Sequence, residues 1–93
     1  MKKYRLRIPP EIVSFIRHLH PQIKARIRRA LEEIELNPFL GKPLKGELGG
    51  LYSYRATYYR IVYQIKHSEI LIEVVDIAER KIVYERVASM LKF

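Results

Sequence analysis

The chain has 93 residues, with 18 Lys and Arg against 10 Asp and Glu, a formal net charge of +8, no Cys, and 48% hydrophobic residues. This is the length of one domain with enough apolar content to fold, which excludes a two-domain protein, a disordered basic tail, a disulfide scaffold and a cysteine metal centre. No apolar run approaches the ~20 residues of a membrane span, and the basic stretch Met1–Arg7 lacks the apolar core of a signal peptide, so the expectation is one cytoplasmic domain over residues 1–93, free of membranes, whose partner is a polyanion or an acidic protein.

Residues 3–8 alternate, with Tyr4, Leu6 and Ile8 on one face and Lys3, Arg5 and Arg7 on the other, as in a half-buried strand with a basic outer face. Pro9-Pro10 stops it. Ile12, Phe15, Ile16 and Leu19 then recur at helical spacing, up to Pro21, which breaks this helix and opens the next. In the second helix Ile23, Ile27, Ala30, Leu31 and Ile34 form one stripe, and Asn37-Pro38 ends it. Residues 39–50, with Gly41, Pro43, Gly46, Gly49 and Gly50, read as a loop.

The period then changes. Leu51–Ala56, Tyr58–Ile65 and Ile70–Ile77 read as three strands joined by short turns, which favours an antiparallel meander. Residues 82–92 read as a final helix, with Val83, Val87, Met90 and Leu91 on one side. The order β, α, α, β, β, β, α predicts an α+β domain with its helices on one face of the sheet: an antiparallel β-sheet with two N-terminal helices packed on it and a short C-terminal helix.

The charge is concentrated. Residues 1–10 carry four cations and no anions, and residues 37–66 carry five cations and one anion, so these two segments together hold the whole excess. No metal or cofactor is expected, because His18, His20 and His67 form no ligand cluster and no phosphate-cradling glycine motif is present. Tyr52, Tyr54, Arg55, Tyr58, Tyr59, Arg60 and Tyr63 crowd into a dozen residues. Tyrosine suits a strand, so Tyr59 and Tyr63, which share a face with Ile61 and Ile65, read as packing residues. Arg60 lies on the opposite face, where an arginine is costly to bury unpaired, and so reads as lining a groove open to solvent. Its planar fork suits phosphate. Arg80, Lys81 and Tyr84 follow the last strand, and adjacent antiparallel strands would let Arg55, Arg60, Arg80 and Tyr84 converge.

These segments carry a family resemblance. NPFLGKPLKGELGG (37–50), LYSYRATYYRIVYQI (51–65) and ERKIVY (79–84), in this order and spacing, resemble the RelE branch of the RelE/ParE toxin superfamily. The resemblance covers nearly the whole chain and implies a microbial ribonuclease-like fold. It also implies a type II toxin that cuts mRNA in the ribosomal A site and a cognate acidic RelB-like antitoxin that neutralises it; the chemistry expected for such a cut is attack by the RNA's own 2′-hydroxyl, which in principle requires no metal. By the same resemblance Arg60, Arg80, Tyr84 and Arg55 would be catalytic, and Lys45, Arg55 and Lys81 would bind RNA. Two positions depart from the family pattern. Ser53 stands where many members have a basic residue, and Glu79 where several have His, which leaves the general base unassigned. Arginine and tyrosine ordinarily titrate at about pH 10 or above, far from neutral. Glu79 would serve as a base only if it faces the groove. Three other readings stay open: a ParE-like gyrase inhibitor of the same fold, a non-catalytic RNA-binding protein, and an inactive toxin homologue.

Overall fold

Proline sets the start of both N-terminal helices. Pro10 and Pro21 each occupy the first helical turn, where the missing N–H costs nothing. In the computed structural model, which describes residues 3–92, the elements are β1 (Arg5–Arg7), α1 (Pro10–Arg17), α2 (Pro21–Leu36), β2 (Lys42–Pro43), β3 (Leu51–Ala56), β4 (Tyr59–Lys66), β5 (Leu71–Glu79) and α3 (Arg80–Met90). Met1, Lys2 and Phe93 fall outside the described residues, so the N-terminal cation at Lys2 has no structural account. His18 and His20, excluded above as metal ligands, serve the helix ends. His18 Nδ1 lies 2.8 Å from the Ser14 carbonyl, and His20 Nδ1 accepts from the Gln22 N–H at 3.3 Å, capping α2. Asn37 ends α2 and its Oδ1 accepts from the Phe39 N–H.

The sheet order is β1-β5-β4-β3-β2. The β3–β4–β5 meander is antiparallel, as the strand spacing predicts. Two features differ from expectation. The glycine-rich stretch after α2 contributes β2, a two-residue edge strand pairing Lys42 with Ser53 and Pro43 with Tyr52. And β1 lies parallel to β5, with Arg5 opposite Leu71 and Arg7 opposite Glu73, so the sheet is mixed. The cause is topological. The α1–α2 hairpin carries the chain across the sheet from one edge to the other, and the meander returns strand by strand to β1.

Both faces of the sheet are covered. Ile12, Ile16, Ile27, Ala30, Leu31 and Ile34 from α1 and α2 pack on Ile61, Tyr63, Ile72, Val74 and Ile77. On the other face Val83 and Val87 of α3 pack on Leu51, Val62 and Ala78. The expectation of helices on a single face is therefore corrected. An amphipathic stripe does not state which side of a sheet it covers, and here the short link from β5 into α3 delivers it opposite α1 and α2. Of the predicted α3 stripe, Val83 and Val87 are fully buried while Met90 and Leu91 remain exposed.

Two polar anchors hold this arrangement. Tyr63 is fully buried; its hydroxyl donates to the Pro38 carbonyl at 2.6 Å and accepts from the Gly41 N–H at 2.9 Å. Burial pushes its pKa up to about 12. Asp76 is buried on the α3 face, where Arg86 of α3 reaches its two carboxylate oxygens at 2.8 and 2.9 Å and the Ile77 N–H donates to it as well. This bidentate pair fastens α3 to β5.

Candidate functional site

The register of the hairpin builds the site. In antiparallel strands, residues directly opposite share a face, and Arg55 of β3 stands opposite Arg60 of β4. Arg60 in turn pairs with Ala78 of β5, two residues before α3 opens at Arg80. Arg55, Tyr58, Arg60 and Arg80 line one cavity of about 230 Å³. Three of the four residues expected to converge therefore do so. The fourth, Tyr84, sits one helical turn beyond Arg80. Its ring packs in the α3 core and its hydroxyl donates to Ser53 Oγ at 3.0 Å. Ser53 is only 2% exposed, so the position where the family often has a basic residue is here a buried acceptor for that tyrosine.

The electrostatics of this cavity are uncompensated. The ion pairs among the described residues are Arg7–Glu73, Lys66–Glu73, Arg29–Glu33 and Arg86–Asp76, and none engages Arg55, Arg60 or Arg80. Like charges directly opposite on a sheet are destabilising. Arg80 and Lys81 also occupy the first turn of α3, which has no acidic residue and whose dipole disfavours cations. Two local stability rules are thus broken at one spot, a cost that a bound anion would offset. The missing counter-charge is that of an anion.

The hairpin turn adds to this. Thr57 adopts φ +60°, rare for a β-branched residue, and its carbonyl accepts from Arg55 Nε at 2.9 Å. That bond holds the exposed Arg55 by its inner nitrogen. Tyr58, 57% exposed with its ring 4.8 Å from that of Tyr59, presents an aromatic surface at the cavity rim. Sequence reasoning does not single out Tyr58 as a site residue, although its place between Arg55 and Arg60 is the available signal.

The other expected site residues lie apart. Lys45 lines a separate hollow with Lys42, Pro43 and Leu44, and Lys81 is exposed on α3 outside the arginine cavity. Glu79 pairs with Tyr59, whose ring packs with the α1–α2 core, so the register places Glu79 on the face opposite Arg60. The condition under which Glu79 would act as a base is not met in this geometry.

Residues 3–84 match the family described as ParE toxin of type II toxin-antitoxin system, parDE. Toxin RelE of Mycobacterium tuberculosis is 44% identical over 45 residues, which is 48% of this chain and 46% of that protein, so the chain spans under half the length of this curated relative. Among solved structures, the toxin–antitoxin complex RelBE2 from M. tuberculosis is similar with TM-score 0.73 at 26% identity, covering 84% of this chain and 99% of that one. The archaeal RelE–RelB complex from Pyrococcus horikoshii OT3 is similar with TM-score 0.71 at 23% identity, covering 86% and 97%. The isolated E. coli RelE toxin is similar with TM-score 0.69 at 22% identity, covering 96% and 99%. The last two likenesses are of fold alone.

Proposed function

The chain belongs to the ParE toxin family of type II toxin–antitoxin systems, within the RelE/ParE superfamily, and on that premise we propose that it is a ribosome-dependent mRNA endoribonuclease held in check by an acidic antitoxin. The observation that carries this reading is the cavity where Arg55, Arg60 and Arg80 meet without a carboxylate among them.

RNA is cleaved when a 2′-hydroxyl attacks the adjacent phosphorus. The O2′–P bond forms, the P–O5′ bond breaks, one proton leaves the hydroxyl and one joins the departing 5′-oxygen. Charge builds on the non-bridging oxygens in the transition state, and preorganised cationic donors stabilise it there. Arg60 and Arg80 are assigned to that clamp, with Arg55 assisting from the hairpin. Tyr58 offers a face on which a base stacks. Tyr84, tied to Ser53 outside this cavity, is assigned a positioning role: it holds the first turns of α3, and with them Arg80, against β3. No imidazole or carboxylate lines the cavity. The protein's contribution is thus charge stabilisation and positioning, and the proton transfers fall to groups on the ribosome or the RNA.

The antitoxin is supported by the net charge of +8. An acidic, partly disordered segment would mask it and fold on binding, with strongly salt-dependent association. The match to the ParE toxin family supports a second reading, a gyrase inhibitor. The two separate in one experiment. Purified wild type, Arg60→Ala and Arg80→Ala are tested on ribosome-bound mRNA and, in parallel, for trapping gyrase on DNA. Wild type is expected to cut mRNA, and each variant to lose about 10²–10³ in rate while keeping its fold. Full cleavage by both folded variants would sink the roles given to Arg60 and Arg80, and gyrase trapping without cleavage by wild type would sink the nuclease reading.

A further inference from the structure

Arg55 belongs to two cavities. Besides the one it shares with Arg60 and Arg80, it lines a second, of about 450 Å³, with Arg26, Arg29 and Glu33 of α2 and the turn residue Thr57. This double membership follows from the short edge strand. β2 pairs only with Tyr52 and Ser53, so β3 is a bare sheet edge by Arg55, and the residue there lines both cavities. We propose that Arg26 and Arg29 form a distal phosphate subsite, so that a single RNA strand held at Arg60 and Arg80 runs over the hairpin edge at Arg55 and down onto α2. The proposal rests on the nucleic-acid reading above and extends it to residues outside the clamp.

Three observations favour a polynucleotide as the occupant. The second cavity is floored only by Ala30 and Ala56 among apolar residues, which gives an amphipathic peptide helix nothing to bury. Arg26 and Arg29, three apart on α2, are both exposed on its surface and face one way. The one carboxylate present, Glu33, is already engaged, accepting from the Tyr54 hydroxyl at 3.0 Å and lying 3.9 Å from Arg29. That leaves two net positive charges at the subsite, counting Arg26, Arg29 and Arg55 against Glu33. The hollow on the other side of α2 is different: Ile8, Val13, Ile16 and Leu31 give it an apolar floor beneath Arg17, Lys24 and Arg28.

The test is equilibrium binding of the full chain to fully 2′-O-methylated single-stranded RNA, which 2′-hydroxyl attack cannot cleave, followed by fluorescence anisotropy across a salt titration. Two lengths are used: a dinucleotide, which occupies only the arginine clamp, and an oligonucleotide of about 12 nucleotides, within known single-strand site sizes. For the longer RNA, Arg26→Gln/Arg29→Gln is expected to flatten the slope of log affinity against log salt by about 0.7–1.4, one increment for each phosphate that is no longer neutralised. The dinucleotide is unaffected by that pair, and Arg17→Gln/Arg28→Gln, which removes the same charge on the other side of α2, leaves both slopes unchanged. The inference is overturned by equal slopes in wild type and Arg26→Gln/Arg29→Gln, by equal losses in the two pairs, by no salt-dependent binding of wild type to the longer RNA, or by a loss confined to an acidic polyglutamate probe. The flattened slope in Arg26→Gln/Arg29→Gln together with no cleavage of ribosome-bound mRNA by wild type would instead remove the nuclease reading and leave an RNA-binding track.

Discussion

Replacing Tyr63 by Phe removes a single oxygen, and the structure sets what that oxygen does. Its loss leaves the Pro38 carbonyl and the Gly41 N–H, both in buried residues, without the partners at 2.6 and 2.9 Å. Each stranded group costs about 1–3 kcal/mol, partly offset because the hydroxyl's own desolvation is relieved, so Tyr63→Phe is expected to destabilise by about 2–4 kcal/mol. For a domain of this size that lowers Tm by roughly 10–25 °C. Gly41 supplies an internal control. Its backbone (φ −70°, ψ 157°) suits any residue, yet a Cβ placed there would run into Tyr63 Oη and lie 3.0 Å from Cε1 and Cζ. Gly41→Ala is therefore destabilising for steric reasons alone, and most of the clash is with the oxygen that Tyr63→Phe deletes. The double variant should be less destabilised than the sum of the singles, by about 1–2 kcal/mol, within the range seen for contacting residues. Urea unfolding of the four proteins measures this. Additivity within about 0.5 kcal/mol, or a loss below about 1 kcal/mol for Tyr63→Phe alone, would refute the two-bond account.

Other outcomes follow from the same geometry. Arg86→Ala strands the buried Asp76 carboxylate with only the Ile77 N–H. Breaking a buried pair costs about 3–5 kcal/mol, and Arg86 is half exposed (51%), so about 2 kcal/mol is expected by denaturant unfolding, with Asp76→Leu/Arg86→Leu recovering much of it. Burial raises the Glu73 pKa, but hydrogen bonds and charges from Lys66 and Arg7 outweigh that and hold it below the ordinary 4.5. A folded-state pKa below the unfolded one contributes stability that is present above the unfolded value and lost as pH falls through the folded value. The stability gap between wild type and Glu73→Gln should thus be constant near neutrality and close as pH drops below about 4.5; a gap that persists in acid would contradict the assignment. Tyr58→Ala should weaken single-stranded RNA binding by the roughly 1–3 kcal/mol typical of one stacked base, with Tyr58→Phe near wild type, and equal losses in both would point to the hydroxyl instead.

Local periodicity is a signal a strand or helix carries within itself, and α1, α2 and the β3–β5 meander are legible for that reason. What pairs with what is not local. The two-residue β2 contains Pro43 amid glycines and has no alternation to detect, and the parallel pairing of β1 depends on β5, which its own residues do not specify. The side of the sheet taken by α3 is equally hidden. One clue is readable: Asp76 stands inside the apolar run ILIEVVDI, and a charge there needs a partner, which Arg86 supplies. In the candidate site, face parity alone places Arg60 opposite Tyr59 and Tyr63. The roles of Ser53 as an acceptor and of Arg55 between two cavities need the register and the length of β2.

The pairing of β1 with β5 joins residues 66 positions apart, as in Arg7 and Glu73. Chains are synthesised from the N-terminus and domains fold as units during synthesis. β1, α1 and α2 must then wait, with their apolar stripes uncovered, until β5 has been made. The arginine cavity waits longer, because Arg80 belongs to α3, and the Arg86–Asp76 bond that fastens α3 forms later still. A ribosome building this chain therefore carries no assembled phosphate clamp until nearly all of the domain has left it. For a protein proposed to attack ribosome-bound mRNA, the strand order delays competence until the last helix of the domain has been made.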